Sequence, residues 1–126
     1  MCSPLFSIVI PTYNRDSQTR RAIQSCLSQS EESLEVIVID DGSTLTNYAI
    51  SKSIDDPRVY WFRTENRGAN AARNYGVQKA QGKYIAFLDS DDEFYPDKLS
   101  VALEYMRNGC DIFFSRVNIQ GESHSA

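Results

Sequence analysis

Short apolar runs alternate along the chain with polar segments in which hydrophobic residues recur at helical spacing. Each run is of strand length and rich in β-branched and aromatic residues, a composition typical of β-strands. We predict strands at residues 5–10, 34–39, 59–62 and 84–88, and a weaker fifth strand at 111–117. The first, second and fourth runs are nearly continuously apolar, which indicates strands covered on both faces of a parallel sheet.

The segments between the runs have the hydrophobic pattern of amphipathic helices. This pattern predicts helices at residues 16–29, 44–53 and 68–80. A fourth helix is expected to begin at Pro96, because proline is favoured at the first helical position. The residues expected to face the core are, helix by helix, Thr19, Ala22, Ile23, Cys26 and Leu27; Leu45, Ala49 and Ile50; Ala69, Ala72, Gly76 and Ala80; and Leu99, Ala102, Leu103 and Met106.

This alternation of strands and helices predicts an α/β fold with a mostly parallel, Rossmann-like sheet and helices on both faces. The 126 residues are enough for one domain. Residues 120–126 are polar and carry no pattern, so we expect a frayed tail there. If the first strand lies between the second and the fourth, the strand order reverses beside it, and ligands bind in such a crevice.

Composition and charge narrow the classes of function. The net charge of −4 gives no indication of nucleic-acid binding. The sequence has neither an apolar run of membrane-spanning length nor a secretory signal at its start. The three cysteines, Cys2, Cys26 and Cys110, fit no zinc motif, and Cys26 and Cys110 are expected to be core residues. The sequence therefore indicates a reduced, cytoplasmic setting, with a peripheral position at a membrane left open.

An acidic cluster, Asp89-Ser90-Asp91-Asp92, directly follows the fourth apolar run. Carboxylates this close repel one another, and burial at a strand end raises the cost further. A divalent cation is the simplest partner that makes such a cluster favourable, and oxygen ligands suit Mg²⁺ or Mn²⁺. The alternative is a solvated acidic loop that caps the following helix.

Two further polar signatures follow the first and second predicted strands, and all three would meet at the expected crevice. Together with two motifs from the third predicted helix and the turn before it, they resemble the family 2 glycosyltransferases in order and spacing. The resemblance extends from about residue 6 to residue 98. The matching sequences are residues 7–15, which contain Pro11-Thr12-Tyr13-Asn14 and end at Arg15, residues 38–43, which contain Asp40-Asp41-Gly42-Ser43, then Asn66-Arg67-Gly68, Ala72-Arg73-Asn74 and the acidic cluster.

The resemblance implies the GT-A fold and the transfer of a sugar from a nucleotide diphosphate, usually with inversion. It assigns Asp91 to a Mn²⁺ or Mg²⁺ ion that would neutralise charge on the leaving diphosphate, and Asp89 to the shell of that ion or to the donor ribose. It assigns Asp41 to the N–H of uracil, since a carboxylate accepts that hydrogen bond. The residues it assigns to the nucleotide-sugar donor are Pro11, Thr12, Tyr13, Asp41, Asn66, Arg73, Asp89, Ser90 and Asp91.

Several of these residues have a structural alternative. Asp-Gly is turn chemistry, so Asp41 can equally serve a turn, and for Asp40 the structural role is favoured. Thr12 and Asn14 are better interpreted as turn and cap residues. Arg73 either pairs with diphosphate oxygens through its guanidinium fork or is a surface helix charge.

The general base of the reaction is missing from this pattern. In the family an Asp well downstream of the acidic cluster deprotonates the acceptor hydroxyl, so we expect the base beyond Ala126. We therefore interpret the chain as the donor-binding part of a truncated glycosyltransferase, whose acceptor is an unidentified hydroxyl of a glycan, lipid or protein. The alternative is a non-catalytic nucleotide-sugar-binding or regulatory module on the same fold.

Three smaller expectations complete the sequence interpretation. A truncated sheet exposes an edge, which favours self-association. A phosphatase of the haloacid dehalogenase kind also has an Asp-x-Asp after a strand, but it leaves the other motifs unexplained. His124, the only histidine, lies in the polar tail and is expected to be a bystander.

Overall fold

A computed structural model describes residues 3–109, 117–119 and 122–124 of the chain. Its main sheet is formed by the parallel strands β1 (Phe6–Thr12), β2 (Leu34–Asp40), β3 (Val59–Arg63) and β4 (Tyr84–Phe87). They lie in the order β3-β2-β1-β4. Strand β1 therefore lies between β2 and β4, which meets the condition under which a ligand-binding crevice was expected.

Four helices occur in the described residues: α1 (Asp16–Leu27), α2 (Leu45–Ser51), α3 (Ala69–Lys79) and α4 (Lys98–Arg107). Their order agrees with the predicted alternation of strands and helices. The start of α4 differs, since the helix begins at Lys98 with Asp97 at the N-cap position. Pro96 lies instead in a turn, which is closed by a 3.0 Å hydrogen bond from the Lys98 N–H to the Tyr95 carbonyl.

Helices cover both faces of the sheet, as predicted. Successive side chains of β1 and β2 point to opposite faces, so each strand is buried along its whole length. The core on the side of α1 and α4 includes Ile8, Ile10, Ala22, Ile23, Cys26, Val36, Val38, Leu99 and Leu103. The smaller core on the side of α3 contains Val9, Ile37, Ile39 and Ala72.

The expectation that the fourth strand is covered on both faces was wrong. Ile85 and Phe87 of β4 are 41% and 49% exposed, since β4 is the last strand of the main sheet among the residues that the structure describes. The apolar side of α2 also differs from the prediction, because Leu45 is exposed. The helix instead presents Tyr48, whose ring packs edge-on against Trp61 with a centroid distance of 6.4 Å.

Strand β1 continues through Pro11, where the sequence pattern suggested that it would stop. Pro11 lies opposite Ile39 of β2. The pairing of β1 with β4 ends two residues before Pro11, at Val9. The Val9 carbonyl accepts a 3.1 Å hydrogen bond from Leu88, so odd-numbered residues of β1 direct their backbone groups toward β4. The missing N–H of Pro11 therefore faces the side where β4 has diverged, and no ladder bond is lost.

A second, antiparallel sheet follows the acidic cluster, with β5 (Asp92–Glu93), β6 (Val117–Ile119) and β7 (Glu122–His124) in the order β5-β6-β7. Strand β7 lies within residues 120–126, where the sequence indicated a frayed tail. Antiparallel pairing with β6 satisfies the backbone groups of β7 that face β6. The predicted strand at 111–117 lies outside the described residues except for Val117, where β6 begins.

Two other sequence-based expectations concern membranes and cysteines. Among the described residues, no helix combines the length and the apolar composition that crossing a bilayer requires. Cys26 is a free, buried core residue, and its burial raises the pKa of the thiol. Cys2 and Cys110 lie outside the described residues.

Candidate functional site

A cleft of about 420 Å³ lies at the carboxyl ends of β1, β2 and β4. The strand order reverses beside β1 at this place, which is where open α/β sheets bind their ligands. The volume lies in the usual range for small-molecule sites. The lining residues are Pro11, Thr12, Tyr13, Arg15, Asp41, Ala69, Arg73, Asp89, Ser90 and Asp91.

The cleft brings together the residues that the resemblance assigned to the donor, with the exception of Asn66. Asn66 has a left-handed backbone, with φ of 44°, and lies beside Gly42. A Cβ at Gly42 would be 3.1 Å from the Asn66 nitrogen, so the two residues shape adjoining turns. Conversely, Arg15 and Ala69 line the cleft without having been assigned. The available signal was that Arg15 ends one matched sequence and that Ala69 directly follows another.

The Asp41 carboxylate ties the end of β2 to the turn before α3. Its Oδ1 accepts hydrogen bonds from the Thr64 hydroxyl at 2.7 Å and from the Arg67 N–H at 2.8 Å. Its Oδ2 accepts the Gly68 N–H at 2.8 Å. Gly68 has φ of 100°, a conformation that suits glycine. The turn alternative for Asp41 is thus present in the structure, and one acceptor position remains on Oδ2.

Asp41 is buried, with only 5% of the residue exposed. Burial raises the pKa of its carboxyl, but the hydrogen bonds from Thr64, Arg67 and Gly68 and the Arg67 charge outweigh burial. The net effect lowers the pKa of Asp41 below its ordinary value of 3.8. The carboxylate is therefore ionised at neutral pH and can only accept hydrogen bonds.

Asp40 and Arg63 hold the loop that carries Asp41. Asp40 is 1% exposed, and its Oδ1 accepts the Ser43 N–H at 2.8 Å and the Arg63 Nη1–H at 3.3 Å. Arg63 also donates to the Ser43 carbonyl at 2.6 Å, and its guanidinium lies 4.8 Å from the centre of the Tyr48 ring. These contacts give Asp40 the structural role that the sequence favoured.

The turn after β1 is joined to the same loop. The Asn14 N–H donates to the Ser43 hydroxyl at 2.7 Å, and the Asn14 Oδ1 accepts the Thr44 N–H at 2.9 Å. Thr12 is buried, and its hydroxyl is 2.6 Å from that of Thr19 in α1. Asn14 therefore acts as a turn residue, while the neighbouring Tyr13 ring remains 47% exposed along the cleft.

The acidic cluster lies on the β4 side of the cleft. One carboxylate oxygen from each of Asp89, Asp91 and Asp92 lies within 4.8 Å of the others. Arg73 of α3 donates to Asp89 at 2.9 Å, and Arg15 forms an ion pair with Asp91 at 3.6 Å. Hard oxygen donors at such separations fit Mg²⁺ or Mn²⁺, so the residues present suit the metal that the resemblance implied.

Comparison with known proteins assigns the chain to a family. The model of the family described as "Glycosyl transferase family 2" matches residues 7–125. This chain belongs to glycosyltransferase family 2. An uncharacterized glycosyltransferase of Haemophilus influenzae is 49% identical, and the match covers 84% of this chain and 44% of that protein. The putative colanic acid biosynthesis glycosyl transferase WcaA of Escherichia coli is 39% identical, with 98% and 46% covered.

Solved structures confirm the GT-A fold of this family 2 chain. TarS of S. aureus, crystallised with UDP-GlcNAc, matches with a TM-score of 0.71 and 28% identity over 82% of this chain and 31% of that one. The mannosyltransferase PcManGT of Pyrobaculum calidifontis, crystallised with GDP-Man and Mn²⁺, matches with a TM-score of 0.74. The latter match is 22% identical and covers 90% of this chain and 34% of that one, so it shows the fold alone. The chain spans 18% to 46% of the curated relatives that it matches.

Proposed function

We propose that this chain forms the donor-binding part of an inverting glycosyltransferase that uses a UDP-type sugar and Mn²⁺ or Mg²⁺. The observation that carries the proposal is the placement of two different recognition groups in one cleft. Asp41 follows β2 and the acidic cluster follows β4, with β1 between them. An elongated ligand with a base at one end and a diphosphate at the other matches this arrangement.

The base is proposed to lie at the Asp41 end of the cleft. Because Asp41 is ionised, its remaining acceptor position on Oδ2 can take an N–H donor and rejects a base with a lone pair there. Uracil presents an N–H at its Watson–Crick edge, whereas cytosine presents an acceptor nitrogen at the same position. The exposed face of Tyr13 is available for stacking on the base.

The diphosphate is proposed to lie at the acidic end of the cleft. Asp89 and Asp91 would hold the divalent cation, which supplies positive charge to the leaving diphosphate when it is bound. Arg73 lies 2.9 Å from Asp89, and its planar guanidinium suits phosphate oxygens. In this proposal the general base and the acceptor-binding groups belong to sequence beyond Ala126.

Cation-supported binding of UDP tests the proposal most directly. Calorimetry of the 126-residue chain with UDP and Mn²⁺ is expected to show binding that Asp91→Asn weakens at least about tenfold, since a metal ligand is lost. UDP is expected to bind more tightly than CDP in the same buffer. The matched control is Asp55→Asn, which removes the same charge from an exposed position outside the cleft.

Two results would contradict the proposal. One is the absence of UDP binding by a chain whose circular dichroism spectrum shows it to be folded. The other is equal affinity of the wild type and Asp91→Asn, because the acidic cluster would then have no part in holding the cation.

A further inference from the structure

We infer that Arg15 exchanges partners during donor binding: it neutralises Asp91 while the cation is absent and pairs with the donor diphosphate once the cation is bound. The inference rests on the proposed function, and it concerns a residue that the resemblance did not assign. It predicts opposite effects of one substitution on the two ligands, which no purely structural role produces.

The position of Arg15 is set by the backbone rather than by its side chain. It lies at the N-cap position of α1, and its carbonyl accepts the Thr19 N–H at 2.9 Å. Its side chain and that of Asp91 are each 48% exposed, and both line the cleft. The guanidinium can therefore change partners without breaking the start of the helix.

The charges of the cleft favour such an exchange. The lining carries three carboxylates, from Asp41, Asp89 and Asp91, and two guanidiniums, from Arg15 and Arg73. Each arginine forms an ion pair with one acid of the cluster. A divalent cation competes for the same two carboxylates, and the guanidiniums it displaces then face the position proposed for the anionic diphosphate.

Arg15 is held less firmly than Arg73. The Nη2 of Arg73 is 2.9 Å from Asp89, and its Nη1 donates to Asn70 of the same helix at 3.0 Å. The contact between Arg15 and Asp91 is longer, at 3.6 Å, and it is the only side-chain contact that the described residues give Arg15. An exposed ion pair of this length is weak, so a cation displaces Arg15 first.

Replacing Arg15 by Gln is the decisive change. Without nucleotide, Arg15→Gln is expected to bind Mn²⁺ about threefold more tightly, because a competing positive charge has left the cluster. With saturating Mn²⁺, the same variant is expected to bind UDP about tenfold more weakly, because a charge-assisted hydrogen bond to the diphosphate is lost. Arg15→Lys keeps the charge and is expected to leave Mn²⁺ affinity close to that of the wild type.

Mn²⁺ affinity is measured from the paramagnetic resonance signal of the free ion, and UDP affinity by calorimetry at saturating Mn²⁺. The matched control is Arg20→Gln, which makes the same charge change on an exposed residue of α1 that lines a different cavity. This control is expected to leave both affinities within about twofold of the wild type, since exposed charges at a distance are screened.

The outcomes separate this inference from the proposed function. Tighter Mn²⁺ binding with weaker UDP binding supports the exchange. If the wild type binds UDP with Mn²⁺ but Arg15→Gln weakens both ligands, or changes neither, the exchange is overturned and the proposed function stands. If the folded wild type does not bind UDP with Mn²⁺, the proposed function is overturned and the exchange with it.

Discussion

At the scale of single residues, Asp41 shows how one side chain can serve both a turn and a ligand. The sequence left uracil recognition and turn formation as alternatives. The hydrogen bonds from Thr64, Arg67 and Gly68 show the structural role directly. They also hold the carboxylate in one orientation and lower its pKa, which is what an acceptor of a base N–H needs. Recognition of the base remains a proposal.

Asp41 is expected to make the stability of the chain depend on pH in the acidic range. Its pKa is lower in the folded chain than the ordinary 3.8, so its contribution is complete above that value and is lost as the pH falls through the folded pKa. Asp41→Asn should lower the free energy of unfolding by about 1–3 kcal/mol at pH 7, because the Arg67 and Gly68 N–H groups and the Thr64 hydroxyl lose a charged acceptor. The difference from the wild type should shrink toward pH 3 in urea unfolding.

Asp55→Asn is the reference for this measurement, since Asp55 is exposed and the substitution removes the same charge. A difference between the wild type and Asp41→Asn that is the same at pH 7 and pH 3 would show that ionisation of Asp41 does not stabilise the fold.

At the scale of elements, the small residues on the inner face of α3 determine how closely the helix packs on the sheet. Ala72 and Gly76 are buried against the sheet, as the sequence predicted. Ala69 was expected on the same face, but it lies at the first turn and lines the cleft instead. Close packing of α3 on β1 and β2 brings Arg73 within reach of Asp89 on the far side of β1.

Gly76→Ala is expected to destabilise the chain even though alanine is the better helix former. A Cβ at this position would overlap Cγ1 of Val9, a buried β-branched side chain with little freedom to move. Overpacking of this kind costs about 1–3 kcal/mol, and the gain in helix propensity offsets about 1 kcal/mol of it. The urea midpoint should therefore fall.

The control for this prediction is Gln78→Ala, which changes an exposed position of the same helix. Its urea midpoint should stay the same or rise slightly. If Gly76→Ala were as stable as Gln78→Ala, the close approach of α3 to β1 would not limit the packing.

At the scale of the whole molecule, the described part of the chain gives the main sheet two different edges. The β4 edge carries the exposed side chains of Ile85 and Phe87, whereas the β3 edge exposes Tyr60. The chain spans less than half the length of the curated relatives that it matches. Self-association through an exposed edge stays a prediction, and the apolar side chains favour the β4 edge for it.

Sedimentation over a range of concentrations tests this prediction. The apparent mass of the 126-residue chain is expected to rise with concentration, and the double substitution Ile85→Thr with Phe87→Ser is expected to reduce that rise. Tyr60→Ser, on the opposite edge, should leave it unchanged. A chain that stays monomeric at all concentrations would contradict the prediction. So would an equal reduction of the rise in apparent mass by the β4 double substitution and by Tyr60→Ser.

The sequence by itself determined the class of fold and the place of most of the cleft. Strand length, helical spacing and the order of elements are local properties, and the rule that ligands bind at a reversal of strand order then located the site. The acidic cluster could therefore be named before any contact was known, and the resemblance to the family added Asp41. The membership of family 2 rests on the family model, which matches residues 7–125.

Only the tertiary structure decided which side chains form ion pairs and hydrogen bonds with one another, and which side chains are exposed. The pairing of Arg15 with Asp91, the hydrogen bonds from the turn at Thr64 to Asp41, and the exposure of Phe87 join or separate residues that are distant in sequence. No periodicity encodes such contacts, because they depend on the twist and stacking of whole elements. For that reason most of the residues that line the cleft could be named from the sequence, whereas the ion pairs among them could not.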